Sequence, residues 1–151
     1  MAKFRYRMQN ILDVKLKLEE QAKADFAFAA RRVAEEEEKL QNLQIQRAEY
    51  ERALREASIG RIDLNNISFY KSAINTMKTK IRTQMMQVHT AQRNLEARRK
   101  QLNDVMADRK MHENLKEKEF EMFKEELAKD ESKAIDELVS FTYGEKQSGV
   151  D

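Results

Sequence analysis

The sequence contains no cysteine, no proline and no tryptophan, and only three of its 151 residues are glycine. Without cysteine there is no disulfide, no thiolate metal site and no thiol nucleophile, which agrees with a reducing compartment. Without proline, and with so little glycine, the chain lacks the residues that most often interrupt a helix. Apolar runs are short, and none approaches the ~20 residues that a membrane span needs. Met1-Ala-Lys-Phe-Arg-Tyr-Arg is a basic start with no apolar stretch after it, so a signal peptide is not expected and a cytoplasmic protein is the simplest reading. Also absent are a glycine-rich phosphate loop, HExxH, GxSxG and an acidic calcium loop.

What remains is charge and helix formers. Charged residues make up 37% of the chain and the mean hydropathy is −0.85, too polar for an ordinary packed core. Disordered chains share that polarity, but they are rich in Pro, Gly and Ser. This chain is rich in Ala, Glu, Lys, Arg, Gln, Leu and Met, the strong helix formers, and that points to a coiled coil. One domain is the default for this length.

A single break stands out, Ser58-Ile59-Gly60-Arg61-Ile62-Asp63-Leu64-Asn65-Asn66. Gly60 can end a helix in the left-handed conformation, and Asp63, Asn65 and Asn66 are good caps for a helix beginning just beyond. The expected fold is therefore all-α: a two-helix antiparallel coiled-coil hairpin with an overhanging C-terminal helix. Helix 1 is expected over about 3–57, the turn over 58–65 and helix 2 over about 66–140. Residues 1–143 would form a single hairpin domain and 144–151 a disordered tail.

In the first arm, steps of three and four link Phe4, Met8, Ile11, Leu18, Ala22, Ala29, Val33, Leu40, Leu43, Tyr50, Leu54 and Ala57, with Lys15, Asp25, Glu36 and Arg47 filling the gaps. So narrow a stripe suits pairing with one other helix. It resumes at Ile67, Tyr70, Ile74, Met77, Ile81, Met85, Val88, Ala91, Leu95, Leu102 and Val105. It weakens through Arg109, His112 and Lys116, and returns at Phe120, Phe123 and Leu127. If Ala57 faces Ile67, an antiparallel return sets Leu54 against Tyr70, Tyr50 against Ile74, Ala22 against Leu102 and Phe4 against Phe120. Apolar residues then meet along most of the pair. The same alignment sets Asp25 against Arg98, a polar layer expected to fix register at some cost in stability.

Beyond Glu121 the first arm has no residues left to offer. The rest of helix 2 keeps an apolar stripe, Phe123, Leu127, Ile135, Leu138 and Val139, with an acidic opposite face. It either frays or docks onto a partner. Charge is segregated to match: residues 61–118 carry 13 basic and 6 acidic side chains, residues 119–151 carry 4 and 10. Two surfaces for two partners are expected.

No residue is expected to be catalytic, to bind a cofactor or to hold a metal. His89 and His112 lie ~35 Å apart along one helix and cannot share a site. Glu35 to Glu38 point to different sides of a helix and read as a solvated acidic patch. Between Leu64 and Asn103, eight basic residues and the single acid Glu96 could contact phosphates. That makes a nucleic-acid-binding hairpin the distant alternative, behind a structural coiled-coil scaffold or adaptor.

Phe4-Arg5-Tyr6-Arg7 followed by Met8-Gln9-Asn10-Ile11-Leu12-Asp13 resembles the opening of FliJ proteins, F-x-(Y/F)-x-L-Q-x-(V/L)-L-(D/E), with Met8 where the family often has Leu. Leu43 through Glu49-Tyr50, then Gly60, Ile62, Tyr70, Ile74 and Met77, are similar in order and spacing, and the resemblance covers about residues 1 to 140. It implies a non-enzymatic part of the flagellar type III export apparatus, an antiparallel coiled coil similar to the γ subunit of rotary ATP synthases. Its paired terminal end, with Phe123, Leu127, Ile135 and Leu138, would enter the hexameric export ATPase and promote ring assembly and coupling. Its hairpin region would contact the export gate protein, with Leu43, Tyr50 and Met77 at matching positions. Gln46 and Gln84 stand where the resemblance implies an aromatic residue and a histidine. Export chaperones would be further partners. Nucleic acid would not be one, and the protein would sit at the cytoplasmic face of the flagellar basal body, held at the membrane through partners only.

Overall fold

The computed structural model describes residues 3–148, with side chains through residue 145. Two helices, α1 (Gln9–Ala57) and α2 (Leu64–Ser148), account for nearly all of it, and the described residues contain no strand. The all-α, two-helix antiparallel arrangement expected from the sequence is observed. The chain forms two compact units, one of Met1–Leu18 with Met106–Asp151 and the other Glu19–Val105.

The second unit is a hairpin closed by the turn at 58–63. At the end of α1, the Ser58 hydroxyl donates to the Leu54 carbonyl at 2.8 Å, and the Ser58 amide reaches the same oxygen at 3.1 Å. Gly60 then takes φ +79, a conformation that costs an L-residue roughly 1–2 kcal/mol. Of the three candidate caps, Asp63 is the one used. Its Oδ1 accepts the Asn65 amide at 3.0 Å, and its carbonyl accepts the first helical bond, from Ile67, at 3.1 Å. The antiparallel sense is visible in the cross-helix pairs, where Glu36 meets Gln84 and Asp25 meets Arg98.

In the first unit, residues 3–8 lie before the helix, which begins at Gln9 rather than near residue 3. The reason is an alternation of period two. Lys3, Arg5 and Arg7 are exposed while Phe4 is half-buried and Tyr6 buried, the pattern of an extended segment lying on an apolar surface. The Phe4 ring sits 5.0 Å from Phe120 and 5.5 Å from Phe123, both in tilted arrangements that aromatic quadrupoles favour. The Gln9 amide bonds the Tyr6 carbonyl at 3.1 Å and turns the chain into α1.

At the other end α2 continues past 140 and through Gly144 to Ser148, so residues 144–148 are helical where a tail was expected. A lone glycine costs a helix only about 1 kcal/mol, and no proline follows to stop it. Residues 149–151 of the expected tail lie outside the described residues.

The buried stripe also corrects the expected one. On α1 a stripe of buried and half-buried positions runs Leu12, Lys15, Glu19, Ala22, Phe26, Ala29, Val33, Glu36, Leu40, Leu43, Arg47, Tyr50, Leu54 and Ala57, in alternating steps of three and four, and Gln9, Asp25, Ala30, Glu51 and Ala53 beside it are also half-buried. Leu12 is 3 % exposed whereas Ile11 is 42 % exposed, and Leu18 is exposed beside a buried Glu19. On α2 Gln84, not Met85, carries the stripe, and Met85 is exposed. In both places the unbroken period prevails over the more apolar neighbour, because a residue one step off a coiled-coil seam points about 100° away from it.

Candidate partner-binding surfaces

The helix pair of the second unit positions the residues matched to the gate-binding region. Met77 is 5 % exposed and belongs to the seam, while Leu43 and Tyr50 are half-buried on the same stripe of α1. All three therefore pack between the helices, and only Leu43 and Tyr50 keep an accessible edge.

In the first unit Phe123 is half-buried against Phe4. From Lys124 to Glu145 every residue is exposed, including Leu127, Ile135 and Leu138, the last 70 % so. Val139, Phe141 and Tyr143 extend the same exposed apolar series. Exposed large apolar side chains concentrated on one segment mark an interaction site more often than isolated ones do. Phe141 and Tyr143 lie past the expected helix end near 140, where the sequence offers no facing residues to mark a stripe.

Asp25 and Arg98 are brought together, with Arg98 Nη1 3.8 Å from Asp25 Oδ2 and both side chains partly exposed. Arg99 adds a neighbouring contact, its guanidinium carbon 5.9 Å from the Phe26 ring centre. Exposed pairs of this kind contribute about 0–1 kcal/mol.

A stronger polar layer lies deeper, between Glu36, which falls on the expected α1 stripe, and Gln84, which the expected α2 stripe passes over for Met85. Glu36 is only 3 % exposed, so the expectation of a uniformly solvated Glu35–Glu38 patch fails at this residue. Its neighbours Glu35, Glu37 and Glu38 are exposed. Gln84 Nε2 donates to Glu36 Oε2 at 2.5 Å and to the Glu36 carbonyl at 2.9 Å. Arg32 and Lys39, one turn away on either side, reach Oε1 at 3.2 and 3.5 Å. The Gln84 hydrogen bond, aided by those two cations, holds the Glu36 carboxyl below its ordinary value against the opposing effect of burial. The heptad that puts Glu36 on the α1 stripe also puts Gln84 on the facing one, and the more apolar Met85 beside it masks that signal.

The first unit has a comparable layer. Lys15 Nζ lies 2.7 Å from Asp108 Oδ2 across the helices, and His112 Nε2 lies 3.8 Å from Oδ1. The Lys15 hydrogen bond and charge, with a smaller contribution from His112, lower the Asp108 carboxyl. His112, on the weak part of the stripe, has Nδ1 buried without a hydrogen-bond partner. Arg109 pairs with Glu113 at 2.7 Å, which explains how basic residues occupy the weak part of the stripe.

A pH dependence follows from these two carboxylates. Each binds its proton less readily folded than unfolded, so each stabilises the fold above its unfolded value, about 4.5 for Glu and 3.8 for Asp. That stabilisation is lost as pH falls through the lower, folded values. Thermal midpoints followed by circular dichroism should fall as the pH drops below about 4.5. Glu36→Gln with Asp108→Asn should flatten this acid limb; an unchanged limb would remove both carboxylates as its cause.

Among the described residues no group of three or more His, Cys, Asp or Glu side chains could hold a metal ion, and no helix is long and apolar enough to cross a membrane. The chain matches the model of the family described as Flagellar FliJ protein over residues 4–148. No curated protein and no solved structure matches it significantly.

Proposed function

Because the chain belongs to the FliJ family, and so is a component of the flagellar export apparatus, we propose that it is a non-enzymatic adaptor between two parts of that apparatus. The paired terminal end, the first unit, binds the hexameric export ATPase ring and promotes its assembly. The hairpin region of the second unit meets the export gate protein, and export chaperones join the same cycle. The protein acts at the cytoplasmic face of the basal body and hydrolyses nothing itself.

The observation that carries this reading is the exposed apolar series Leu127, Ile135 and Leu138 on a strongly acidic stretch of α2, beyond the Phe4–Phe123 contact. An amphipathic helix with no apolar surface of its own beneath it gains most by docking into a groove. On the gate side, Leu43 and Tyr50 offer their accessible edges, and Met77 contributes through packing. Asp25 with Arg98 keeps the two helices in register.

The test is a chain truncated after Lys124, which retains Phe4, Phe120 and Phe123. It should lose stimulation of the purified export ATPase and still bind the export gate protein. Full stimulation by the truncated chain would refute the assignment of ends.

A further inference from the structure

One face of α2 in the second unit is used by neither proposed partner surface. Leu64, Lys71, Lys78, Arg82, Met85, His89, Arg93 and Lys100 follow one another in steps of seven, four and three, so they share a face. Every one of them is exposed. The face is turned roughly a third of a turn from the buried stripe of Ile74, Met77, Ile81, Val88 and Ala91. One carboxylate, the exposed Glu96, lies on this face between Arg93 and Lys100, and a second, Glu37, borders it. Glu96 pairs with Arg99 at 3.8 Å, and Glu37 of α1 receives Gln92 at 3.5 Å.

We infer that this face of α2 is a lipid-binding surface that lies along an anionic bilayer. From Lys71 to Lys100 the cations are strung over ~44 Å of helix. They lie about a turn or more apart, so they do not converge on one bound phosphate. A planar array of headgroups is the anionic partner that such a line can follow throughout its length. The aliphatic residues select against nucleic acid, whose backbone offers nothing to Leu64, Met85 or the adjacent exposed Met86. In an interfacial helix the same combination is productive: basic side chains meet headgroups while aliphatic ones enter the acyl boundary. At the start of the stripe, Ile59 and Ile62 in the turn are also exposed and extend its apolar end. The acidic exposed end of α2 has the wrong sign for the same surface. Attachment through protein partners alone is thereby supplemented with a direct contact.

The experiment is co-sedimentation of the full chain with vesicles of mixed phosphatidylglycerol and phosphatidylcholine, against vesicles of phosphatidylcholine alone. Binding is expected only to the anionic vesicles, weakening as salt is raised. Lys78→Gln with Arg82→Gln, both at exposed positions, should lower the partition coefficient roughly 25-fold at unchanged helicity, about fivefold for each charge. Because the chain has no tryptophan, Leu64→Trp provides a single reporter whose emission should shift to the blue on the anionic vesicles. Indifference of the natural chain to anionic vesicles overturns the proposal. So does undiminished binding by the double variant, or an emission that does not move. Retention on duplex DNA without vesicle binding would show that the stripe serves nucleic acid instead, and loss of gate-protein binding by the double variant with vesicle binding intact would assign it to a protein.

Discussion

Leu12→Ala should destabilise the protein by about 2–4 kcal/mol, while Ile11→Ala, one residue away, should cost less than about 0.5 kcal/mol. The two side chains have nearly the same volume and hydrophobicity, so composition does not separate them. Position does: Leu12 lies on the buried stripe and Ile11 faces solvent. Truncating Leu12 leaves a void between the first unit's helices that the surrounding chain can only partly close. Truncating Ile11 removes surface that water already covers. Urea titration of both variants, followed by helical circular dichroism, measures the difference. Equal losses would mean that α1 is rotated by about 100° from the orientation described.

The second large effect is expected at Gln84. Replacing it with Leu removes both hydrogen bonds to Glu36 and leaves a buried carboxylate whose remaining partners are two cations on its own helix. Breaking one side of a buried polar pair is costly because the other side keeps its desolvation penalty. Gln84→Leu should therefore lower the midpoint and raise the Glu36 pKa, since burial then acts without the opposing donor. With Glu36→Leu added, the layer becomes apolar and the midpoint should return to or exceed that of the natural protein. What the double variant should lose is discrimination, because a leucine pair packs against neighbouring leucines nearly as well as against itself. The readouts are thermal denaturation of the single and double variants and cross-linking between the two arms. A double variant as unstable as the single one would show that the Glu36–Gln84 contact is not what Gln84 supplies.

The architecture was legible in the sequence for a plain reason. With no proline and one glycine before Gly144, little could interrupt a helix except the stretch around Gly60, and Asp63 there was among the candidate caps. The antiparallel partnership was legible as well, because Phe4 and Phe120, or Asp25 and Arg98, face each other only in one alignment. What escaped was the phase of the stripe in the first third of α1 and at Gln84. Leu18 and Met85 are more apolar than their neighbours Glu19 and Gln84, so hydrophobicity and period disagree at these two places. In a two-helix pair the geometry is the stricter condition: a polar side chain can occupy the seam when its head finds a partner or reaches the rim. The start of α1 escaped for another reason. Phe4-Arg5-Tyr6-Arg7 fits a helix as well as an extended segment by composition, and only contact with Phe120 and Phe123 selects the latter.

The candidate surfaces were legible in unequal measure. Ile135 and Leu138 could be identified because no facing residue was left for them. Leu43, Tyr50 and Met77 came from family likeness, and their burial could not be read from that likeness. Glu36 reads in sequence both as a position of the α1 stripe and as one of four acids in a solvated run, and the facing Gln84 decides for the stripe.

The strict alternation of three and four carries a consequence for how such a protein can change in length. Deleting one residue in the middle of α1 would rotate everything on one side of the cut, and the facing arm would no longer match. Only whole heptads, removed from both arms at the same height, leave the joint intact. Size is therefore quantised: the molecule can be shortened or extended by paired sevens, and any other increment has to be absorbed outside the paired region, in the turn or in the exposed end of α2.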